Sequence, residues 1–250
     1  MEQLNDSAAS SIAAAPRAPT SSEAESAATM GSCLLTPEQT EGPYHIDLGL
    51  IRSDISEGRP GIPLELYFLV QSTGRCQPIS DASVEIWHCD ALGQYSGVGE
   101  QTSQRLGDQS APASDGPAGI TSARLDGPLP RADDAQRPDN SLRFLRGGQV
   151  TGRDGRVTFK TIYPGWYRGR TVHIHVKVHN GTNDIHTGQL YFDDALSSEI
   201  YIQAPYSSRP GRDTTNRTDE IYAVGGQHST LAVQHTSNGL AASITLTVNA

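Results

Sequence analysis

Two histidines two residues apart, His173 and His175, stand in the stretch Tyr163-Pro-Gly-Trp-Tyr-Arg-Gly-Arg-Thr-Val-His-Ile-His-Val-Lys-Val178. Val172, Ile174 and Val176 interleave them, and β-branched residues of this kind favour a strand. Side chains two apart on a strand share a face. Both imidazoles would therefore project together, as a metal site requires. An ordinary strand with exposed histidines explains His-x-His alone just as well. The phenols, indole and guanidinia immediately upstream (Tyr163, Tyr167, Trp166, Arg168 and Arg170) shift the balance towards chemistry.

The candidate ligands are His173, His175 and one or more tyrosines, with Tyr163 and Tyr167 both in reach by sequence. A phenolate is a hard anionic donor, and a free tyrosine phenol gives up its proton only near pH ~10. Only a strongly Lewis-acidic metal displaces that proton readily at neutral pH, and Fe(III) meets the demand far better than Zn(II). Magnesium or calcium would call for carboxylates, and copper(I) or an iron–sulfur cluster for thiolates. Two phenolates and a hydroxide would balance the charge of ferric iron. A zinc hydrolase would want a carboxylate base beside the histidine pair, and no local motif offers one.

The elements that must position these residues read as short strands between turns. Leu64–Gln71 is apolar and β-prone, and Ala82–His88 alternates, with Val84, Ile86 and His88 on one face. Strands resume at Phe144. Arg153-Asp-Gly-Arg156 is a hairpin signal, followed by a strand over Val157–Ile162. Further strands are expected over the His173 stretch, Thr187–Phe192 and Ala241–Val248, with a short helix at Asp193–Gln203. This pattern predicts an all-β fold, an antiparallel β-sandwich with long loops and little helix. Residues 1–32, rich in Ala, Ser, Pro and Glu, are expected to form a disordered tail, and 33–250 the domain. Residues 97–141, dominated by Gly, Ser, Asp, Pro and Ala, read as a loop insertion or lid within it.

A chain of 250 residues with net charge −9 is a poor match for nucleic acid or an anionic membrane surface. No apolar run approaches the ~18 residues of a membrane span. The start, Met-Glu-Gln-Leu-Asn-Asp, lacks a basic region followed by an apolar core, which tilts the expectation towards the cytoplasm, with export as the alternative. The three cysteines, Cys33, Cys76 and Cys89, allow one disulfide and one free thiol.

Val84-Glu-Ile-Trp-His-Cys-Asp-Ala-Leu-Gly-Gln-Tyr95 resembles the signature of the intradiol ring-cleaving dioxygenases, in which an acidic and an apolar residue precede a Gly-x-Tyr whose tyrosine binds iron. Thr-Glu-Gly-Pro-Tyr44, Phe144-Leu-Arg-Gly-Gly-Gln-Val-Thr151 and the Tyr163–His175 stretch also resemble this family, in the family's order. The resemblance implies four protein ligands to Fe(III): Tyr95, Tyr167, His173 and His175. It favours Tyr167 over Tyr163 because Tyr167 matches the family's Pro-Gly-x-Tyr. It implies that Tyr167 also acts as a base towards a catechol-type diol, and that Arg170 stabilises charge on the substrate ring. Gln189, Tyr44 and Trp166 would contact substrate. The implied reaction inserts both atoms of O2 and opens the ring between its hydroxyls to a cis,cis-muconate-type diacid.

Residues 1–33 are too short and polar for the N-terminal helical dimerisation domain of the dedicated catechol 1,2 members, so the resemblance is to the shorter single-domain branch. A homo-oligomer is compatible with the sequence. A disulfide from Cys33 to Cys76 or Cys89 would suit an exported member. A non-catalytic β-sandwich binding module would explain the fold and the acidic charge, but not why Tyr95, Tyr167, Arg170 and His-x-His occur together.

Overall fold

Strand β1, Pro63–Ser72, alternates cleanly: Leu64, Leu66, Phe68 and Val70 are buried, and Glu65, Tyr67 and Leu69 point away. That alternation is the mark of a sheet with one face on a core and one in water. The structure, a computed structural model, describes residues 33–98 and 141–250. The expected tail, and all of the expected insertion except residues 97, 98 and 141, lie outside them.

The other strands are β2 (Ser83–Trp87), β3 (Arg146–Val150), β4 (Arg156–Ile162), β5 (His173–Asn180), β6 (Asn183–Tyr191), β7 (Ala232–Thr236) and β8 (Gly239–Val248). They form two four-stranded sheets, ordered β4-β1-β8-β7 and β3-β2-β5-β6. Every pairing is antiparallel except β1 with β8, which run parallel from Leu64↔Leu240 to Ser72↔Val248. The inner faces meet in one core that includes Leu66, Phe68, Val84, Ile86, Phe159, Ile174, Val176, Leu240 and Leu246. The all-β sandwich expected from the sequence is the fold observed.

Several boundaries differ from expectation. The Arg153–Arg156 turn does not close a hairpin. It carries the chain from β3 in one sheet to β4 in the other, because β4 finds its partner in β1, where Leu66 meets Phe159 and Phe68 meets Val157. Strand β6 begins at Asn183 rather than Thr187, since backbone pairing with β5 continues through polar residues past the core. Strand β7 carries no clear apolar alternation and was not expected. The single described α-helix, α1 (Asp194–Tyr201), starts where the Asp193 carboxylate accepts hydrogen bonds from the Ala195 and Leu196 amides.

Cys33 and Cys76 form a disulfide, and Cys89 is a buried free thiol. The bridge ties the start of a strap, residues 33–48, to the turn after β1. The strap then crosses the outer face of the second sheet. The Gln39 amide donates to the Thr187 carbonyl (2.9 Å), Lys177 pairs with Glu41 (2.7 Å), and His45 meets Glu85 (3.2 Å). No helix among the described residues is long and apolar enough to cross a membrane.

Candidate metal centre and catalytic site

The outer face of the second sheet carries one aligned cross-strand row. Gln189 on β6 pairs with His175 on β5, His175 with Trp87 on β2, and Trp87 with Arg146 on β3. One step along, His173 pairs with Tyr191. All six side chains are buried, although they point away from the sandwich core. Loops roof this face. In the strap, Gly42 passes directly over the His175 ring, where a Cβ would come within 3.1 Å of Cε1. Two further loops bring the tyrosines. The Asp90 carboxylate accepts from the Leu92 and Gln94 amides, folding the turn that ends at Tyr95. Gly165 lies so close to that turn that a Cβ would sit 2.4 Å from the Asp90 carbonyl oxygen, so only glycine lets the Tyr167 loop dock beside it.

The donor atoms converge. His173 Nδ1 donates to the Thr171 carbonyl (2.6 Å), which leaves Nε2 as the lone-pair nitrogen. That Nε2 lies 3.1 Å from His175 Nε2 and 3.0 Å from the Tyr167 hydroxyl. The Tyr95 ring stands edge-on to Tyr167 and to His175, with centroids 5.8 and 6.2 Å away. Tyr44 stacks on Tyr95 at 4.2 Å. Trp87 lies parallel to His175, with an interplanar angle of 5°. Burial, then the neighbouring Arg170 charge, holds the His173 imidazolium pKa well below its usual range. Burial and the His173 charge do the same to His175. Both rings are therefore neutral at ordinary pH, the form in which an imidazole can bind a metal.

Burial also raises the Tyr95 and Tyr167 phenols well above the ordinary range, with Tyr167 adding to the effect on Tyr95 and Arg170 opposing it on Tyr167. The Tyr95 hydroxyl is buried beside the Tyr167 hydroxyl without a well-formed hydrogen bond among the described residues, an arrangement that folded proteins rarely leave uncompensated. Among the described residues no group of three His, Cys, Asp or Glu could hold a metal. Any cation here must be held by two imidazoles and phenolic oxygen. Such a donor set fits a hard, strongly Lewis-acidic ion, and the poorly satisfied, buried Tyr95 hydroxyl fits a site completed by one.

Tyr163 goes elsewhere. Its hydroxyl meets Ser197 Oγ at 2.8 Å, and its ring packs on Phe192, Tyr201 and Tyr206 in the core. The structure thus brings Tyr167, not Tyr163, to the histidines. Nor does it bring the Trp166 ring there: the indole donates to the Arg209 carbonyl (3.0 Å) and lies under the Arg209 guanidinium. Arg170 and Gln189 do meet, with Arg170 Nη2 2.5 Å from Gln189 Oε1, and Gln189 Nε2 donates to the Thr40 carbonyl (2.9 Å). Glu85 fixes the strap through His45. His88 is structural, bonded to the Cys89 carbonyl and Thr161.

Sequence reasoning missed Tyr191, whose hydroxyl lies 2.8 Å from Gln39 Oε1 and 3.1 Å from Gln189 Oε1. Period two from Gln189 would have found it. It also missed Asp219, which pairs with Arg170 at 2.9 Å from a loop with no periodicity. Arg146, almost fully buried, binds the Ser96 carbonyl and lies beside the Tyr95 ring.

Among solved structures, an intradiol ring-cleavage dioxygenase from Tetranychus urticae is 35% identical, matching 87% of this chain and 95% of its own, with a TM-score of 0.70. The chain belongs to the intradiol ring-cleavage dioxygenases. The fold recurs in the dioxygenase domain of a dioxygenase carbohydrate-binding protein fusion from Streptomyces sp. SirexAA-E (24% identity, 86% and 98% of the two chains, TM-score 0.56). It recurs again in a catechol 1,2-dioxygenase from Acinetobacter sp. ADP1 (17% identity, 86% and 62%, TM-score 0.51). No protein-family model and no curated protein matches the chain. As an intradiol ring-cleavage dioxygenase it is an oxidoreductase, and the converging histidines and tyrosines are its candidate centre.

Proposed function

We propose that this dioxygenase, through residues 33–250, cleaves a catechol-type diol between its two hydroxyls, adding both atoms of O2 to give a cis,cis-muconate-type diacid. The observation that carries the reading is the meeting of His173 Nε2, His175 Nε2 and the Tyr167 hydroxyl, with His173 Nε2 3.1 Å from the one and 3.0 Å from the other, beside the buried Tyr95 hydroxyl. Tyr95, Tyr167, His173 and His175 would hold Fe(III). Iron(III) bound there supplies Lewis acidity towards the diol and a sink for electron density from the ring.

The chain's own groups do the rest. Burial holds the Tyr167 phenol well above its ordinary range, so with its proton displaced by a bound metal the phenolate would be suited to take one from a diol hydroxyl. Arg170, held against Gln189, offers a fixed positive charge where negative charge develops on the ring. Gln189 is itself fixed by Thr40 and Arg170, and presents an amide at the same place. Tyr44 stacks on Tyr95 and forms an apolar wall that keeps water from the reacting carbons.

Metal analysis with oxygen uptake on catechol, protocatechuate and hydroxyquinol tests the reading. The expected result is one iron per chain, a red-brown tyrosinate-to-iron band, and uptake of one O2 per diol consumed. Zinc in place of iron, or a colourless iron-loaded protein, would sink the ligand set. Iron without diol-dependent uptake would sink the reaction.

A further inference from the structure

The Asp219 carboxylate is fully enclosed, with no exposed side-chain surface. Both oxygens are used twice. Oδ2 accepts from Arg170 Nε (2.9 Å) and from the Thr171 amide (2.7 Å). Oδ1 accepts from the Ile221 and Tyr222 amides (2.8 and 2.9 Å). One side chain thus clamps a C-terminal loop onto the two residues that lead into β5.

Each bond to Oδ2 sets something in the site. A guanidinium held at one nitrogen can pivot, whereas one held at two has its plane fixed. Arg170 is held at Nε by Asp219 and at Nη2 by Gln189. On the other branch, Thr171 receives the Asp219 bond at its amide, and its carbonyl accepts from His173 Nδ1 (2.6 Å). Thr171 is steadied again by its hydroxyl, which donates to Asn216 Oδ1 (2.7 Å). That carbonyl chooses the His173 tautomer and turns Nε2 towards His175 and Tyr167. Outer partners of this kind orient ligands.

We propose that Asp219 is a positioning residue of the active site: it aims the Arg170 guanidinium at the substrate ring and, through Thr171, keeps His173 Nε2 facing the metal. The proposal rests on the roles given to Arg170 and His173 above. A buried arginine–carboxylate pair is a poor device for stability alone, because desolvating both charges offsets most of their attraction. Here the pair faces a site where a misplacement on the order of 1 Å costs ~100-fold in rate.

The test is Asp219→Asn, alone and combined with Arg170→Gln, in the iron-loaded full chain, with crystal structures of the metal-free wild type and single variant. With catechol, kcat should fall ~10- to 100-fold while KM stays within about threefold. On the Arg170→Gln background the same change should cost several-fold less than on the wild type, because one of the two groups through which it acts is gone and only the Thr171–His173 branch remains. In the metal-free crystal, Arg170 should leave Gln189, or the His173–Thr171 bond should lengthen beyond hydrogen-bonding distance. An unchanged kcat, an equal loss on both backgrounds, or a variant crystal with both bonds intact would each overturn the proposal. If the Asn variant does not fold, Asp219→Glu carries the same three measurements, since it keeps the charge and shifts it by one methylene. A wild type that turns over no diol would retire the reaction proposed above, while the crystal comparison would still decide whether Asp219 positions these groups.

Discussion

The two sheets of this sandwich bury their residues by different rules. In β1, buried and open positions alternate, and the outer Tyr67 is 41% exposed. In β5 the run His173–Val176 is buried on both faces, two aliphatics towards the core and two histidines away from it. The first sheet has one partner, the second sheet, and water on its other side. The second sheet has two partners: the core beneath it and a roof of strap and loops above it. The roof buries an apolar cluster of its own, in which Tyr44 and Ile46 of the strap pack on Trp87, Cys89, Tyr95 and Val98. Beside that cluster it encloses imidazoles, phenols and a guanidinium, where low dielectric strengthens every electrostatic contact. A run buried on both faces in one sheet, where a strand of the other sheet alternates, therefore marks the roofed face.

Substitutions on the faces should separate the two kinds of burial. The largest effect is expected from His175→Ala on the roofed face. Iron content should drop to a small fraction of wild type and turnover by ~1,000-fold or more, with the far-ultraviolet circular dichroism retained; full iron loading in that variant would break the distinction. Next is Phe159→Ala on the inner face, which packs edge-on against Phe68. It should destabilise the fold by ~3–5 kcal/mol in denaturant titration, while iron per folded molecule and kcat stay at wild-type values.

A smaller effect belongs to the strap. Burial raises the Glu85 carboxyl, but the His179 ring 4.0 Å away and the His45 contact at 3.2 Å bring it down to about 2. A depressed carboxyl stabilises the fold above its unfolded value of 4.5, and that contribution is lost as the pH falls through about 2. Glu85→Gln should therefore lower stability on the order of 2 kcal/mol near pH ~5, where His179 is charged, and flatten the acid limb below it. Denaturation midpoints measured from pH 2 to 7 would show it, and an unaltered acid limb would mean that the strap is held by other contacts. The smallest effect is reserved for the wet face of the first sheet: Tyr67→Thr should change stability by no more than ~0.5 kcal/mol and leave turnover alone.

Much of this was legible in the chain. The apolar, β-prone run Leu64–Gln71 and the alternation in Ala82–His88 located β1 and β2, and β-branched spacing put His173 and His175 on one face. Tyr95 could be joined to them only through the family's Gly-x-Tyr, since seventy-eight residues separate it from His173 and no local period connects them. The choice between Tyr163 and Tyr167 turned on packing. Tyr163 lies four residues earlier and finds the core and Ser197, which no spacing rule announces. Asp219 left no trace in the pattern, because its partners are backbone amides and a guanidinium brought to it by tertiary folding. Trp166 read as a wall of the site and packs instead on Arg209, whose position depends on a distant loop.

The parallel pairing of β1 with β8 sets an order of events in synthesis. Strand β1 is among the first to be made, and one of its two neighbours, Gly239–Val248, comes nearly two hundred residues later. Until then β1 can hold only β4, and an open edge of Leu, Phe and Val backbone waits for a partner. Contacts so far apart in sequence form slowly, and an unpaired strand edge invites pairing with other chains. A nascent chain of this protein is thus most exposed to aggregation just before β8 is synthesised, and shortening β8 should send the protein to inclusion bodies even though every candidate active-site residue lies upstream of it.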